Sequence, residues 1–84
     1  MTPRFQLGDR VKIRRTWSDV NGAVGTVADP PDQVRAQSGF GSAYFKEITS
    51  LTGSAAIIYW VEFDFSNPGS MNGEEFDESE LEKL

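Results

Sequence analysis

The chain has 84 residues and a formal net charge of -5, from eight basic and thirteen acidic side chains. It contains neither Cys nor His, which excludes disulfides, cysteine nucleophiles, histidine bases and zinc sites built from these residues. No apolar run approaches the roughly 18 residues of a membrane-spanning helix, and the start lacks the apolar stretch of a signal peptide. We therefore expect one small cytoplasmic domain over residues 1–84, with no membrane insertion.

The two signs of charge lie at opposite ends of the sequence. Residues 1–16 hold five basic side chains and one acidic one, whereas residues 62–84 hold eight acidic side chains and one basic one. A basic start can bind phosphate groups. It can also neutralise an acidic end that lies beside it, and we favour this second interpretation because the whole chain has no basic surplus.

The first predicted element is a strand that begins after the turn residues Gly8 and Asp9. Val11 and Ile13 alternate with basic residues, the period-two pattern of a strand with one buried face. The Asn-Gly pair at 21–22 predicts a tight turn.

A second short strand is predicted over residues 23–28. Gly25 inside it indicates a bulge or a close approach of another backbone. Pro30 and Pro31 then end regular structure, because proline has no amide hydrogen for a strand ladder.

Residues 33–55 are rich in Ser, Gly, Ala and Thr. Tyr44, Ile48 and Leu51 recur at helical spacing, Ser42 could cap the start of a helix, and Gly53 could end it. This spacing predicts a short helix within 42–51. The alternative is a long loop, which a compact domain seldom carries without a use.

The clearest strand is predicted over residues 56–65, which are mostly β-branched and aromatic. Its alternation places Tyr59 and Val61 on the inner face, and Ile58 and Trp60 on the outer face.

A loop over 66–73 and a short strand over 74–76 follow. Asp77 and Glu80 are close to a capping box, which predicts one helical turn that runs through Leu81. The predicted core is Val11, Ile13, Val24, Val27, Ile57, Tyr59, Val61, Phe63, Phe76, Leu81 and Leu84.

Several short strands joined by tight turns favour a closed sheet, because closure removes exposed strand edges. The sequence therefore predicts an all-β fold: a small β-barrel of about five strands, with an inserted loop or short helix at 33–55.

Three separated blocks carry a family resemblance: residues 8–14 (GDRVKIR), 25–28 (GTVA) and 59–64 (YWVEFD), with Phe76 and residues 80–82 (ELE) behind them. Their order resembles the SH3-like barrels of electron-transport accessory proteins. That group includes a small accessory protein of photosystem I, the variable chain of ferredoxin–thioredoxin reductase and the C-terminal domain of the nitrile hydratase β chain. KOW nucleic-acid modules share the Gly-Thr-Val step.

The resemblance implies a non-catalytic accessory subunit, without a cofactor of its own, that docks onto a partner carrying a redox or metal centre. It implies no particular site residue. Two departures stand out. Residues 29–55 are longer than the matching connection of the photosystem protein, and the His-Thr-Arg segment of the nitrile hydratase β chain has no counterpart.

Aromatic residues are the best candidates for binding a protein partner. Trp17 and Asp19 follow the first strand, where they could recognise a cationic or proline-rich peptide; alternatively, Trp17 packs on the barrel end. Trp60 could anchor a partner from the outer face, unless the insertion folds over it as a second small core. The predicted partner-binding set is Trp17, Asp19, Tyr44, Phe45 and Trp60.

The basic patch has two interpretations. Arg10, Lys12, Arg14 and Arg15 could contact phosphates, as in a KOW-like nucleic-acid module, or an acidic protein. Alternatively they pair across strands with Glu78, Glu80 or Glu82. We favour pairing, because no aromatic residues for base stacking lie between the basic ones; nucleic acid is thus the less favoured partner.

A further alternative is a weak calcium loop over 64–75, where five residues fall on ligand or glycine positions: Asp64, Ser66, Gly69, Asn72 and Glu75. Pro68 occupies a position that needs a side-chain oxygen, so we predict no metal site. No phosphate-binding loop, nucleophile elbow or metal-ligand spacing is present, and we predict that the protein is not an enzyme.

Overall fold

The structure, a computed structural model, describes residues 3–40, 43–49, 53, 55–64 and 73–84. It is an all-β fold with six antiparallel strands, one short helix and one 3₁₀ turn, which confirms the predicted fold class. In chain order the elements are β1 (Arg10–Ile13), β2 (Val24–Val27), α1 (Asp32–Ser38), β3 (Phe45–Thr49), β4 (Ala55–Phe63), β5 (Gly73–Asp77), the 3₁₀ turn η1 (Glu78–Glu80) and β6 (Leu81–Lys83).

The sheet follows the order β6-β1-β2-β4-β5, and β3 is an extra strand on β4. The first and last strands pair, with Ile13 opposite Leu81, so the basic and acidic ends of the chain are neighbours as predicted. Between the described parts of β5 and β6 there is no ladder. The turn η1 joins them, and the barrel is open at this junction.

The predicted capping box forms at the start of η1. The Asp77 carboxylate accepts a hydrogen bond from the backbone of Ser79, and the Glu80 carboxylate accepts one from the backbone of Asp77 (2.9 Å). These bonds satisfy donors that a helix start would otherwise leave without partners. They also turn the chain from β5 into β6.

An inner cluster of nine buried side chains fills the barrel. Most were predicted, but Phe5 was not. Val24 and Leu84 are wrong, and Phe63 is only partly buried against the cluster. Val24 is only half-buried because Gly25 and Val27 occupy the inward positions of β2, and Leu84 is 63% exposed beyond the end of β6. The inner cluster is Phe5, Val11, Ile13, Val27, Ile57, Tyr59, Val61, Phe76 and Leu81.

The close approach predicted at Gly25 is present where β2 meets β4. A Cβ atom there would lie 2.5 Å from the backbone oxygen of Glu62 and 2.6 Å from Cγ1 of Val61. Only glycine lets the two strands come this close.

The helix predicted within 42–51 is wrong. Phe45–Thr49 forms β3, which pairs with the first half of β4, and Ile48 is 46% exposed. Ser42 and Leu51 lie outside the described residues. Gly53 has a φ of 85°, as a turn between β3 and β4 requires, and ends no helix.

The only helix in the described residues, α1, comes earlier, directly after the two prolines. It ends at Gly39, which adopts the left-handed conformation (φ 76°) that favours glycine. Val34 from α1 and Phe40 after it pack on Trp60, with Ala28 and Ile58 at the side. We call Val34, Phe40 and Trp60 the outer cluster, since it lies on the other face of β4 from the inner cluster.

The outer cluster decides between the two interpretations of Trp60. Its indole faces outward, as predicted, but only 4% of the residue is exposed because the insertion covers it. The role of a direct partner anchor, predicted from an exposed ring, is therefore corrected to that of a second core.

No helix among the described residues is both long enough and apolar enough to cross a membrane.

Candidate functional site

The candidate site is the loop between β1 and β2, which displays Trp17. Three hydrogen bonds give the loop consecutive turns: Ser18 N to Arg15 O (3.0 Å), Asn21 N to Ser18 O (3.1 Å) and Val20 N to Ser18 Oγ (3.3 Å). Val20 also packs against the inner cluster. The backbone that carries Trp17 is thus fixed at both ends of the loop.

Arg15 forms the base on which Trp17 rests. Its guanidinium lies 4.3 Å from the ring centroid of the buried Phe76 and 4.9 Å from that of Trp17. Only 10% of the Arg15 side chain is exposed. A cation held between two aromatic rings is attracted to both, so Arg15 links the exposed indole to the core.

Carboxylates fix the guanidinium in place. Arg15 donates two hydrogen bonds to Glu80 (2.7 and 2.9 Å) and one to the backbone oxygen of Glu75 (3.0 Å). The hydrogen bond from Arg15 holds the pKa of Glu80 below its ordinary value, and Glu80 in turn raises the pKa of Arg15. These bonds also connect the end of β1 to β5 and η1, across the open side of the barrel.

Trp17 is 78% exposed, the largest exposed fraction among the large apolar side chains that the structure describes as exposed. Glu74, with a half-exposed side chain, lies 3.4 Å from Arg15, and Asp19 is exposed on the same loop. The result is a rigid, apolar, electron-rich ring on an acidic surface. Such a ring can stack on an apolar or cationic side chain of another molecule.

The remaining aromatic candidates lie elsewhere. Tyr44 and Phe45 are half-buried against the inner cluster and pack on each other edge to face (5.1 Å). Tyr44 donates a hydrogen bond to the backbone oxygen of Phe5 (2.8 Å), and burial raises its pKa. Of the five predicted partner-binding residues, Trp17 and Asp19 are the exposed ones, so the set does not form one continuous exposed surface.

The basic patch is paired with carboxylates. Arg14 binds Glu82 (2.8 Å) and Arg15 binds Glu80, as the favoured interpretation predicted.

Arg10 pairs instead with Asp64, with 2.7 Å between its Nη1 and Oδ1 of Asp64. The Arg10 hydrogen bond lowers the pKa of Asp64 and raises that of Arg10. Lys12 stands opposite Glu82 in the β1–β6 ladder. Each of these arginines faces an acidic partner.

The calcium alternative receives no support from the two carboxylates that the structure describes. Asp64 binds Arg10, and Glu75 binds Lys46 (2.5 Å). Ser66, Gly69 and Asn72 lie outside the described residues. Within the described part of the chain, no group of three or more Asp or Glu is arranged to hold a metal ion.

Sequence reasoning missed the role of Arg15, which it grouped with the basic ladder. One signal was available: Arg15 continues the alternation of Val11 and Ile13, so it belongs to the inward-facing set, and it lies two residues before Trp17. A second signal was the acidic end of the chain, once that end was predicted to lie beside β1.

No protein-family model matches the chain, and comparisons with curated proteins and with solved structures find no similar protein.

Proposed function

We propose that the protein is a non-catalytic interaction module of the SH3-like barrel type, which docks onto a partner protein through Trp17. The observation that carries the proposal is the 78% exposed indole held over a buried, carboxylate-bound arginine. An exposed tryptophan on a preorganised support costs little ordering entropy on binding, and tryptophan is enriched at the energetic centres of interfaces.

The charges around Trp17 favour a partner segment with basic or apolar side chains. Glu74 and Asp19 lie on this side of the molecule, and the net charge of the chain is -5. Opposite charges steer association and suppress wrong partners. The resemblance to electron-transport accessory barrels supports a partner enzyme with a redox or metal centre.

Affinity capture with matched variants tests the proposal. Tagged full-length wild type, Trp17→Ala and Leu84→Ala are used to capture proteins from the cells of origin, and the captured partner is then purified and titrated by calorimetry. Leu84 is the control because it is also a large, exposed apolar residue outside the loop. We expect Trp17→Ala to weaken binding by roughly 30-fold or more, the scale of a hot-spot residue, and Leu84→Ala to bind as wild type.

Equal affinity of wild type and Trp17→Ala would refute Trp17 as the anchor. The competing nucleic-acid function predicts oligonucleotide binding that weakens steeply with salt. We expect no such binding even at low salt, because Arg10, Arg14 and Arg15 already have carboxylate partners.

A further inference from the structure

The outer cluster is a small core under a short segment. We call residues 29–40, which include α1, the cover. The buried residues of the cover are Pro30, Val34 and Phe40, and the last two pack on Trp60. By comparison, nine buried side chains drawn from both ends of the chain form the inner cluster.

The outer cluster contains a buried donor. Nε1 of Trp60 is buried, and no acceptor for it lies among the described residues. The indole edge next to Nε1 packs on β5, since a Cβ atom at Gly73 would lie 2.8 Å from Cε2 and Cζ2 of Trp60. A buried N–H that has lost its water without gaining an acceptor lowers the stability of the outer cluster.

The helix of the cover has little stability of its own. It is seven residues long, and its N-cap residue, Pro31, provides no side-chain hydrogen bond. Helices this short depend on tertiary contacts. Arg35 binds Asp29 (3.0 Å), so this ion pair joins two residues of the cover.

The base of the cover is better fixed. Ala28 donates a backbone hydrogen bond to the oxygen of Trp60 (3.0 Å), directly before the cover begins. At the other end, Arg35 of the cover donates a hydrogen bond to the backbone oxygen of Ala43 (3.2 Å), and Lys46 lies over the ring of Phe40 (4.9 Å). We therefore place the hinge of the cover at Ala28 and its second attachment at Ala43 and Lys46.

We propose that the cover opens as a unit while the barrel stays folded, and that opening exposes the part of the Trp60 indole on which Val34 and Phe40 pack. The closed form hides an apolar strip formed by Trp60, Ile58 and Ala28, and the open form presents it. Local opening of the least stable unit is the general behaviour of small domains with unequal cores.

Because the chain has no cysteine, thiol labelling tests this directly. Val34→Cys places a thiol under the cover, and Val61→Cys places one in the inner cluster. Both variants are labelled with an aromatic disulfide reagent across a series of sub-denaturing urea concentrations. The global stability and unfolding rate of each variant are measured in parallel, so that a general loss of stability is recognised.

We expect Val34→Cys to react at least tenfold faster than its own global unfolding allows, with a weaker dependence on urea. Val61→Cys should react only through global unfolding. If Val34→Cys reacts at the rate and urea dependence of its own global unfolding, the cover does not open separately and the proposal is wrong.

Hydrogen exchange of the unsubstituted protein provides a second measurement. After correction for intrinsic exchange rates, the backbone proton of Arg35, which is bonded to Pro31 (3.0 Å) in the cover, should exchange at least tenfold faster than that of Val27, which is bonded to Asp9 (2.9 Å) in the barrel. Equal rates would contradict opening.

Discussion

Tyr59 and Trp60 are neighbours on β4, yet their polar groups meet different conditions. On the inner face, the Tyr59 hydroxyl accepts hydrogen bonds from the backbone N–H of Arg4 (2.8 Å) and Phe5 (3.2 Å) and donates one to Glu78 (2.6 Å). On the outer face, the Trp60 N–H has no acceptor within the described part of the chain. The same strand therefore contributes a hydrogen-bonded polar group to one core and, to the other, a buried N–H without a described acceptor.

The two clusters also differ in how much of the chain they join. The inner cluster joins Phe5 and β1 to β5 and β6, so its loss separates the whole fold. The outer cluster joins the insertion mainly to β4 and to Ala28, which follows β2. Global stability should depend on the inner face of β4, whereas the outer face should govern local motion.

Removing one phenylalanine from each cluster should show the largest difference. Phe76→Ala leaves a cavity beneath the Arg15 guanidinium and among Tyr59 and Phe63, and we expect a loss of about 3–5 kcal/mol. Phe40→Ala should cost no more than about half of that, because the cover can settle or detach. Urea unfolding followed by circular dichroism measures both losses, and equal losses would mean that the two clusters form one cooperative core.

The inner face was predictable because its signals agree. In β1 and β4, period-two alternation, β-branched residues and flanking turns all indicate strands with one buried side, and Gly25 and the capping box at Asp77 add local geometry. Phe5 was not predictable in this way. It is buried by the Tyr59 hydroxyl that binds its backbone, a contact 54 positions away in sequence.

The insertion misled for a physical reason. Tyr44, Ile48 and Leu51 have helical spacing, but a half-exposed edge strand imposes little period of its own, and β3 is chosen by its pairing with β4. The actual helix, α1, carries one buried apolar residue, Val34, which is too few to define a period. The insertion has a weak hydrophobic pattern because it buries few side chains, and for the same reason the outer cluster is small.

Alkaline pH should weaken the inner face selectively. Burial, together with the hydrogen bond to Glu78, raises the pKa of Tyr59 to about 12. In the unfolded chain the phenol loses its proton near pH 10, so between about pH 10 and 12 the unfolded state binds fewer protons and stability falls as pH rises. The contribution is fully present below about pH 10, and its loss amounts to about 2–3 kcal/mol by pH 12.

Urea unfolding across this pH range, compared with Tyr59→Phe, measures that loss. Tyr59→Phe should be less stable than wild type at neutral pH, because the backbone N–H of Phe5 loses its acceptor while that of Arg4 keeps only Glu78. Its stability should decline less between about pH 10 and 12. Tyr44→Phe is the comparison variant, because burial also raises the pKa of Tyr44, and it measures how much of the alkaline decline comes from this second phenol. Parallel declines in wild type and Tyr59→Phe would show that Tyr59 does not keep its proton in this range.

The smallest difference should come from the ion pairs that close each face. Arg15 and Glu80 brace the inner cluster, and Lys46 and Glu75 lie beside the outer one. Glu80→Gln keeps an oxygen for the capping hydrogen bond but removes the charge that a largely buried guanidinium requires, and we expect a loss of about 1–3 kcal/mol. Glu75→Gln, in a more exposed pair, should cost under about 1 kcal/mol.

The dependence of stability on acid pH tests the Arg15–Glu80 ion pair. Because the hydrogen bond from Arg15 lowers the pKa of Glu80, its stabilisation is present above the ordinary carboxylate pKa and is lost as pH falls through the lowered value in the folded protein. Glu80→Gln should therefore lose less stability than wild type as the pH falls. If Glu80→Gln followed the wild-type acid profile, the Arg15–Glu80 ion pair would not supply this stabilisation, and the stronger dependence of global stability on the inner face of β4 would lose its support.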